Sequence, residues 1–159
     1  MKKIGIKWKA EHTQNQNGKL VVVTGSNTGI GYHMALTLAD KGADVILACR
    51  NEEKAESAKA KMLKTSPGAN ITVQLLDLAD LASIEGFANR MKESHKHLDL
   101  LINNAGVMIP PKSITKDGFE LQIGTNHFGH FALTSHLMPL LSAAKAPRIV
   151  TLSSIAHWS

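Results

Sequence analysis

Three glycines between an apolar run and a helical pattern are the first candidates for chemistry in this chain. Residues 20–24 read LVVVT, which predicts a buried strand, and a helical pattern starts at Tyr32. Between them stands TGSNTGIG, with Gly25, Gly29 and Gly31. A helix N-terminus presents unpaired N–H groups and partial positive charge, and glycine lets a pyrophosphate approach the backbone. The candidate binding residues are Gly25, Ser26, Asn27, Gly29, Ile30 and Gly31.

This Gly-rich segment has the spacing Gly-x-x-x-Gly-x-Gly, which differs from the common dinucleotide fingerprint Gly-x-Gly-x-x-Gly. Any tight turn between a strand and a helix favours glycine. An ordinary turn is therefore the alternative to a phosphate site.

The end of the second predicted strand carries Arg50 and Asn51. In dinucleotide-binding folds an acidic residue at this point binds the ribose 2′-hydroxyl of NAD, whereas an arginine accommodates the 2′-phosphate of NADP. Glu52 and Glu53 come later, where they suit the positive end of the next helix. The sequence therefore favours NADP(H) over NAD(H). The alternative is a solvent-exposed arginine at a helix start.

More polar residues follow the later predicted strands. Asp77 stands in LLDLAD, and the segment NNAG directly follows the fourth strand. Asn126 stands in a helical pattern that asparagine disfavours, and Ser154 follows the fifth strand. Each has a structural alternative, such as a cap for the helix that starts near Leu81 in the case of Asp77. The candidate binding residues here are Asp77, Leu78, Asn104, Ala105 and Gly106.

These residues are predicted to be positioned by alternating strands and helices, which indicate βαβ units and a parallel sheet. The predicted strands are Leu20–Thr24, Asp44–Ala48, Ile71–Leu76, Leu98–Ile102 and Arg148–Leu152. The predicted helices are Tyr32–Lys41, Glu52–Leu63, a stripe from Leu81 to Met91, and Lys116–Leu141. Right-handed crossovers then favour an α/β, doubly wound, Rossmann-type sheet of strand order 3-2-1-4-5. We expect one domain over 18–159, incomplete at its C-terminal side, after a polar and basic tail over 1–17.

Composition excludes several classes of function. The net charge is +5, but Lys2, Lys3, Lys7 and Lys9 supply most of it, so nucleic-acid binding is not expected. The sequence shows neither a membrane span nor a signal peptide, and its one cysteine, Cys49, suits a reducing compartment, so the expected location is cytoplasmic. The eight histidines lack the pattern of a metal site, and we expect them to be solvated or at edges.

In this order the motifs resemble those of the short-chain dehydrogenase/reductase family, over residues 18–157. TGSNTGIG resembles the family's cofactor motif, NNAG its fourth-strand motif, and Asp77 its adenine-contacting aspartate. Asn126 and Ser154 match two members of its catalytic tetrad. CRNEEKAE, NHFGHF and SSIAH are most similar to the retinol-dehydrogenase-like and protochlorophyllide-reductase-like branch.

The resemblance implies an NADP(H)-dependent oxidoreductase that interconverts an alcohol and a carbonyl, with an apolar substrate and a homo-oligomeric full-length parent. The family's catalytic tyrosine and lysine are absent, since the only tyrosine is Tyr32 in the first helix. We therefore expect an inactive N-terminal part of such an enzyme. The alternatives are a non-catalytic nucleotide-binding module and a non-functional truncation product.

Overall fold

The computed structural model describes residues 9–155 and contains one five-stranded parallel sheet of order β3-β2-β1-β4-β5. The described part excludes residues 1–8, which belong to the predicted tail, and residues 156–159. The strands are β1 Leu20–Thr24, β2 Asp44–Cys49, β3 Asn70–Leu75, β4 Leu100–Asn103 and β5 Arg148–Thr151. The predicted fold class and strand order are confirmed. All four strand pairs are parallel, so the carboxyl ends of the strands meet at one edge.

Helices cover both faces of the sheet. They are α1 Gly29–Asp40, α2 Glu52–Thr65, α3 Leu81–Ser94, α4 Leu121–Ile123 and α5 His130–Ala143, with a π-helix at Gly124–Gly129 between the last two. Strand residues alternate between two cores: Val22 packs with the α3 and α5 side, and Val21 and Val23 with the α1 and α2 side. This alternation explains why the strands read as continuous apolar runs.

The long helix predicted over Lys116–Leu141 is wrong at its start. Residues 115–119 form a turn, and Ile114 pairs with Glu120 as an isolated bridge. The Glu120 carboxylate then caps the first helical turn through the N–H groups of Gln122 and Ile123. These bonds lower the pKa of Glu120. The apolar periodicity correctly predicted α5, but it did not predict the π-helix that precedes α5.

The two ends of the described chain differ in how they pack against the rest of the fold. Residues 9–17 pack against the end of α1, where the N–H of Gln16 donates to the carbonyl of Lys41 at 2.8 Å. Strand β5 lies at the sheet edge, where it pairs only with β4 among the described strands, and all of its residues are exposed. The sheet is thus open at its C-terminal side, as the sequence predicted.

Candidate cofactor-binding and active site

The Gly-rich segment forms the turn between β1 and α1 and uses conformations that glycine alone adopts easily. Gly25 and Gly29 have φ angles of +63° and +59°. A Cβ atom on Gly25 would lie 2.8 Å from the Cα of Ala105, so the two segments pack backbone to backbone. A Cβ on Gly29 would meet nothing within 4 Å, so this turn is open to a ligand.

Gly31 is required for a different reason, its contact with Asn104. A Cβ on Gly31 would lie 2.3 Å from the Asn104 Nδ2 atom and 2.8 Å from the Gly25 carbonyl oxygen. The Asn104 amide donates to the carbonyls of Thr24 at 2.8 Å and Gly25 at 3.3 Å. Asn104 therefore fixes the Gly-rich turn by occupying the space that a side chain at position 31 would need.

A groove of about 130 Å³ runs along the carboxyl edge of the strands beside this turn. It brings together seven of the predicted binding residues from four chain segments. They are Gly25, Asn27, Arg50, Asp77, Leu78, Ala105 and Gly106. A broader basin of about 680 Å³ opens between α1 and α2, and Asn27 lines both spaces. The basin is also lined by Gly29, Lys54 and Lys61.

Other predicted binding residues have structural roles or point elsewhere. The buried Ser26 hydroxyl donates to the Val23 carbonyl at 2.9 Å. The Asn51 side chain caps α2 by accepting from the Lys54 N–H at 2.8 Å. The Ile30 side chain is 66% exposed and lines an apolar groove with Ile102 and Val150, away from the groove of Gly25 and Arg50.

The alternative role of Asp77 as a helix cap is not what the structure shows. Asp80 caps α3, with its carboxylate accepting from the N–H groups of Ala82 and Ser83. Asp77 instead accepts from the Ala79 N–H at 2.9 Å while lining the groove. Its position is therefore compatible with a ligand contact.

Asn126 lies in the π-helix beside a second cavity of about 430 Å³. Its side chain makes two hydrogen bonds to the Val107 backbone, each at 2.8 Å. Oδ1 accepts from the Val107 N–H, and Nδ2 donates to the Val107 carbonyl. Thr151, at the end of β5, lines the same cavity. Ser154 follows three residues later and is exposed.

Thr24 is a central residue of the site that was not among the predicted ones. Its buried Oγ1 accepts from the N–H groups of Asn104 and Ala105, each at 2.9 Å, and lies 2.9 Å from the His130 Nε2 atom. A threonine that ends a buried strand directly before the first glycine was the available signal. Thr24 joins the Gly-rich turn to the segment after β4.

The expectation that the histidines are solvated or at edges is wrong for His130. This ring is only 4% exposed, and its Nδ1 lies 2.9 Å from the Asn126 carbonyl oxygen. Burial lowers the pKa of His130 from its ordinary value of 6.5, and the bond to Asn126 opposes that shift. The lowered pKa favours the neutral form of the ring. Within residues 9–155, no group of three or more His, Cys, Asp or Glu side chains could hold a metal ion.

Buried polar atoms at the two cavities indicate that a polar ligand fits here. The Thr125 Oγ1 beside the groove and the Asn103 Oδ1 beside the second cavity find no hydrogen-bond partner among residues 9–155. An unpaired buried polar atom costs about 1–3 kcal/mol, so such atoms mark places where a ligand or water completes the site. Together with the close backbone approach at Gly25, this fits a dinucleotide.

Comparison with known proteins agrees with this geometry. A model of the family described as short chain dehydrogenase matches residues 19–158. The chain belongs to this family. Among its relatives, human retinol dehydrogenase 11 is 51% identical over 140 residues, which are 88% of this chain and 44% of that protein. The chain thus spans less than half the length of this relative, and the similarity confirms the predicted retinol-dehydrogenase-like branch.

Solved structures show the same fold. A protein from Mycobacterium paratuberculosis superposes with a TM-score of 0.83 at 45% identity, over 95% of this chain and 52% of that one. A short chain dehydrogenase from Shigella flexneri, solved in complex with NADP, gives a TM-score of 0.75 at 31% identity, over 89% and 62% of the two chains. In the part of the chain that the structure describes, no helix is both long and apolar enough to cross a membrane.

Proposed function

We propose that this chain is the NADP(H)-binding part of an oxidoreductase that interconverts an alcohol and a carbonyl on an apolar substrate. The observation that carries the proposal is the groove at the carboxyl edge of the sheet, where Gly25, Arg50 and Asp77 meet from three separate segments. Ligands of open α/β sheets bind in this position, where the strand order reverses. The Shigella flexneri relative in complex with NADP supports the choice of cofactor.

The residues of this chain would bind and orient the cofactor. The N-terminus of α1, with its open turn at Gly29, would hold the pyrophosphate. Arg50 and Asp77 would hold the ribose and adenine end, and the segment from Asn104 to Gly106 would form the floor of the groove. The bound cofactor supplies hydride transfer.

The preference for NADP(H) rests on positive charge near the turn. Arg50 lines the groove, and Lys54 and Lys61 line the adjoining basin that shares Asn27 with it. Two acidic side chains also lie here, since Asp77 lines the groove and Glu53, in the first turn of α2, lines the basin. A guanidinium makes strong charge-assisted bonds to a phosphate, and a second cation on the same side adds to the attraction.

The location of the site is tested by mapping amide shifts in a ¹⁵N-labelled chain titrated with 2′,5′-ADP. We expect shifts in Gly25–Gly31, at Arg50, at Asp77 and in Asn104–Gly106, and weaker shifts with 5′-AMP. The amides of residues 91–98, at the far end of α3, serve as the internal reference. Shifts confined to other surfaces, or none at saturating ligand, would show that the groove does not bind the nucleotide.

The 159 residues alone are proposed to be inactive. Positioned acid–base groups contribute about 10²–10⁴-fold to rate, and the only tyrosine, Tyr32, lines the basin beside the Gly-rich turn, not the cavity of Asn126. We expect no oxidation of NADPH with aldehydes by the purified chain. Steady turnover that Ser154→Ala abolishes would contradict this.

Three further predictions accompany the proposed function. The assignment of Asn126 and Ser154 to catalysis, a homo-oligomeric parent and a cytoplasmic location stay predictions. A non-catalytic nucleotide-binding module is the second candidate function. It is favoured by one observation, namely that the groove residues are brought together within these 159 residues.

A further inference from the structure

His130 is a buried polar residue whose contacts the proposed function does not use. It opens α5 and stands four residues after Asn126, one helical turn away. Its two ring nitrogens face two different parts of the site. Nδ1 lies 2.9 Å from the Asn126 carbonyl oxygen, and Nε2 lies 2.9 Å from the Thr24 Oγ1 atom.

Only one arrangement of protons satisfies all of these contacts. The Asn126 carbonyl can only accept, so Nδ1 carries the proton and the Nε2 of a neutral ring is an acceptor. The two lone pairs of Thr24 Oγ1 receive the N–H groups of Asn104 and Ala105. The Thr24 hydroxyl proton is therefore donated, and Nε2 at 2.9 Å is nearer than the Ile102 carbonyl at 3.3 Å.

The chain of bonds joins the two parts of the site. On one side, Thr24 holds the backbone of Asn104 and Ala105, and Ala105 packs against Gly25 at the floor of the groove. On the other side, Asn126 holds the backbone of Val107, which also lines the groove. His130 is the side chain that connects them.

We propose that His130 is a positioning residue. As the neutral Nδ1–H tautomer, it links the cofactor groove to the Asn126 carbonyl by hydrogen bonds and holds the two in a fixed arrangement. The effect on NADPH rests on the proposed function. The hydrogen-bonded link made by His130 does not rest on the proposed function, because it is a property of the unliganded chain. In this role His130 acts through its contacts with Thr24 and Asn126.

The tautomer is tested on the chain without ligand. Two-bond ¹H–¹⁵N spectra of a chain labelled at histidine nitrogen distinguish a protonated Nδ1 from a protonated Nε2, and the signal missing in His130→Gln assigns the ring. We expect a protonated Nδ1 and an unprotonated Nε2 at pH 7. A protonated Nε2 at this pH would overturn the proposal, even if NADPH binds well.

The hydrogen-bonded link made by His130 is tested with three variants. His130→Phe removes both bonds, and His130→Gln retains an acceptor near the Nε2 position. Leu133→Ala, on the same helix and fully buried, is the control for a purely structural loss. Each bond of this kind contributes up to about tenfold in an equilibrium constant. We expect NADPH binding about tenfold weaker in His130→Phe, largely restored in His130→Gln, and unchanged in the folded fraction of Leu133→Ala.

The amide shifts of Ala105 and Val107 provide a readout without cofactor. We expect both to move in His130→Phe and to stay near their wild-type positions in Leu133→Ala. If the wild-type chain fails to bind NADPH, the proposed function fails and these shifts still decide the role of His130. If both amides are unmoved in His130→Phe, His130 does not position the groove.

Discussion

Replacement of Gly31 with alanine is expected to destabilise the chain and abolish binding at the groove. The new Cβ would lie 2.3 Å from the Asn104 amide nitrogen and 2.8 Å from the Gly25 carbonyl oxygen, which is backbone and cannot turn aside. Overpacking costs about 1–3 kcal/mol, and displacement of Asn104 would also lose its bonds to Thr24 and Gly25, so we expect a loss of about 2–4 kcal/mol. Urea unfolding measures this change in the free energy of unfolding.

Gly86→Ala is the matched control for Gly31→Ala. Gly86 lies inside α3, and its added Cβ would meet the Arg90 Nη1 atom at 3.5 Å, an ordinary contact distance. Because alanine suits a helix interior better than glycine, we expect this variant to gain about 0.5–1 kcal/mol. The same chemical change should thus act in opposite directions at the two sites. Equal effects of the two variants would show that Asn104 does not depend on the space at position 31.

Replacement of Arg50 with aspartate is expected to reverse the cofactor preference. The carboxylate would repel the 2′-phosphate of NADPH and could accept the ribose 2′-hydroxyl of NADH. A charge-assisted contact of this kind is worth about 1.5–3 kcal/mol, so NADPH binding should weaken about ten- to a hundredfold. Fluorescence titration of the variant with each cofactor measures the change.

Arg148→Asp is the control for the change in charge. Arg148 begins β5 at the amino end of the sheet, and it is exposed. We expect little change in the dissociation constant of either cofactor in this variant. If Arg50→Asp also leaves both constants unchanged, the 2′-phosphate contact lies elsewhere. Asn27 and Lys54, which line the adjoining basin, would be the next candidates, ahead of Ser26, whose buried hydroxyl donates to Val23.

The fold was predictable because its signals are local. β1 was predicted with its observed bounds, Leu20–Thr24, since β-branched residues, glycine and helical periodicity mark each boundary in the sequence. The segment before α4 was not predictable in this way. Its turn depends on contacts with distant residues, such as the bond from the Leu81 N–H to the Asp117 carboxylate at 3.0 Å.

The candidate site was predictable in its parts but not in its connections. The glycines and Arg50 could be predicted because their position between strand and helix has a physical meaning. The role of His130 could not, because a histidine in an apolar helix pattern gives no sign of a threonine 106 positions earlier in the chain. A histidine four residues after a mid-helix asparagine was the one local clue.

The proposed function depends above all on the binding of a nicotinamide dinucleotide through its 2′-phosphate. It is tested most directly by titrating the wild-type chain with NADPH and NADH in parallel and comparing the two dissociation constants. We expect NADPH to bind about ten- to a hundredfold more tightly than NADH. Equal affinity for both cofactors, or tighter binding of NADH, would contradict it.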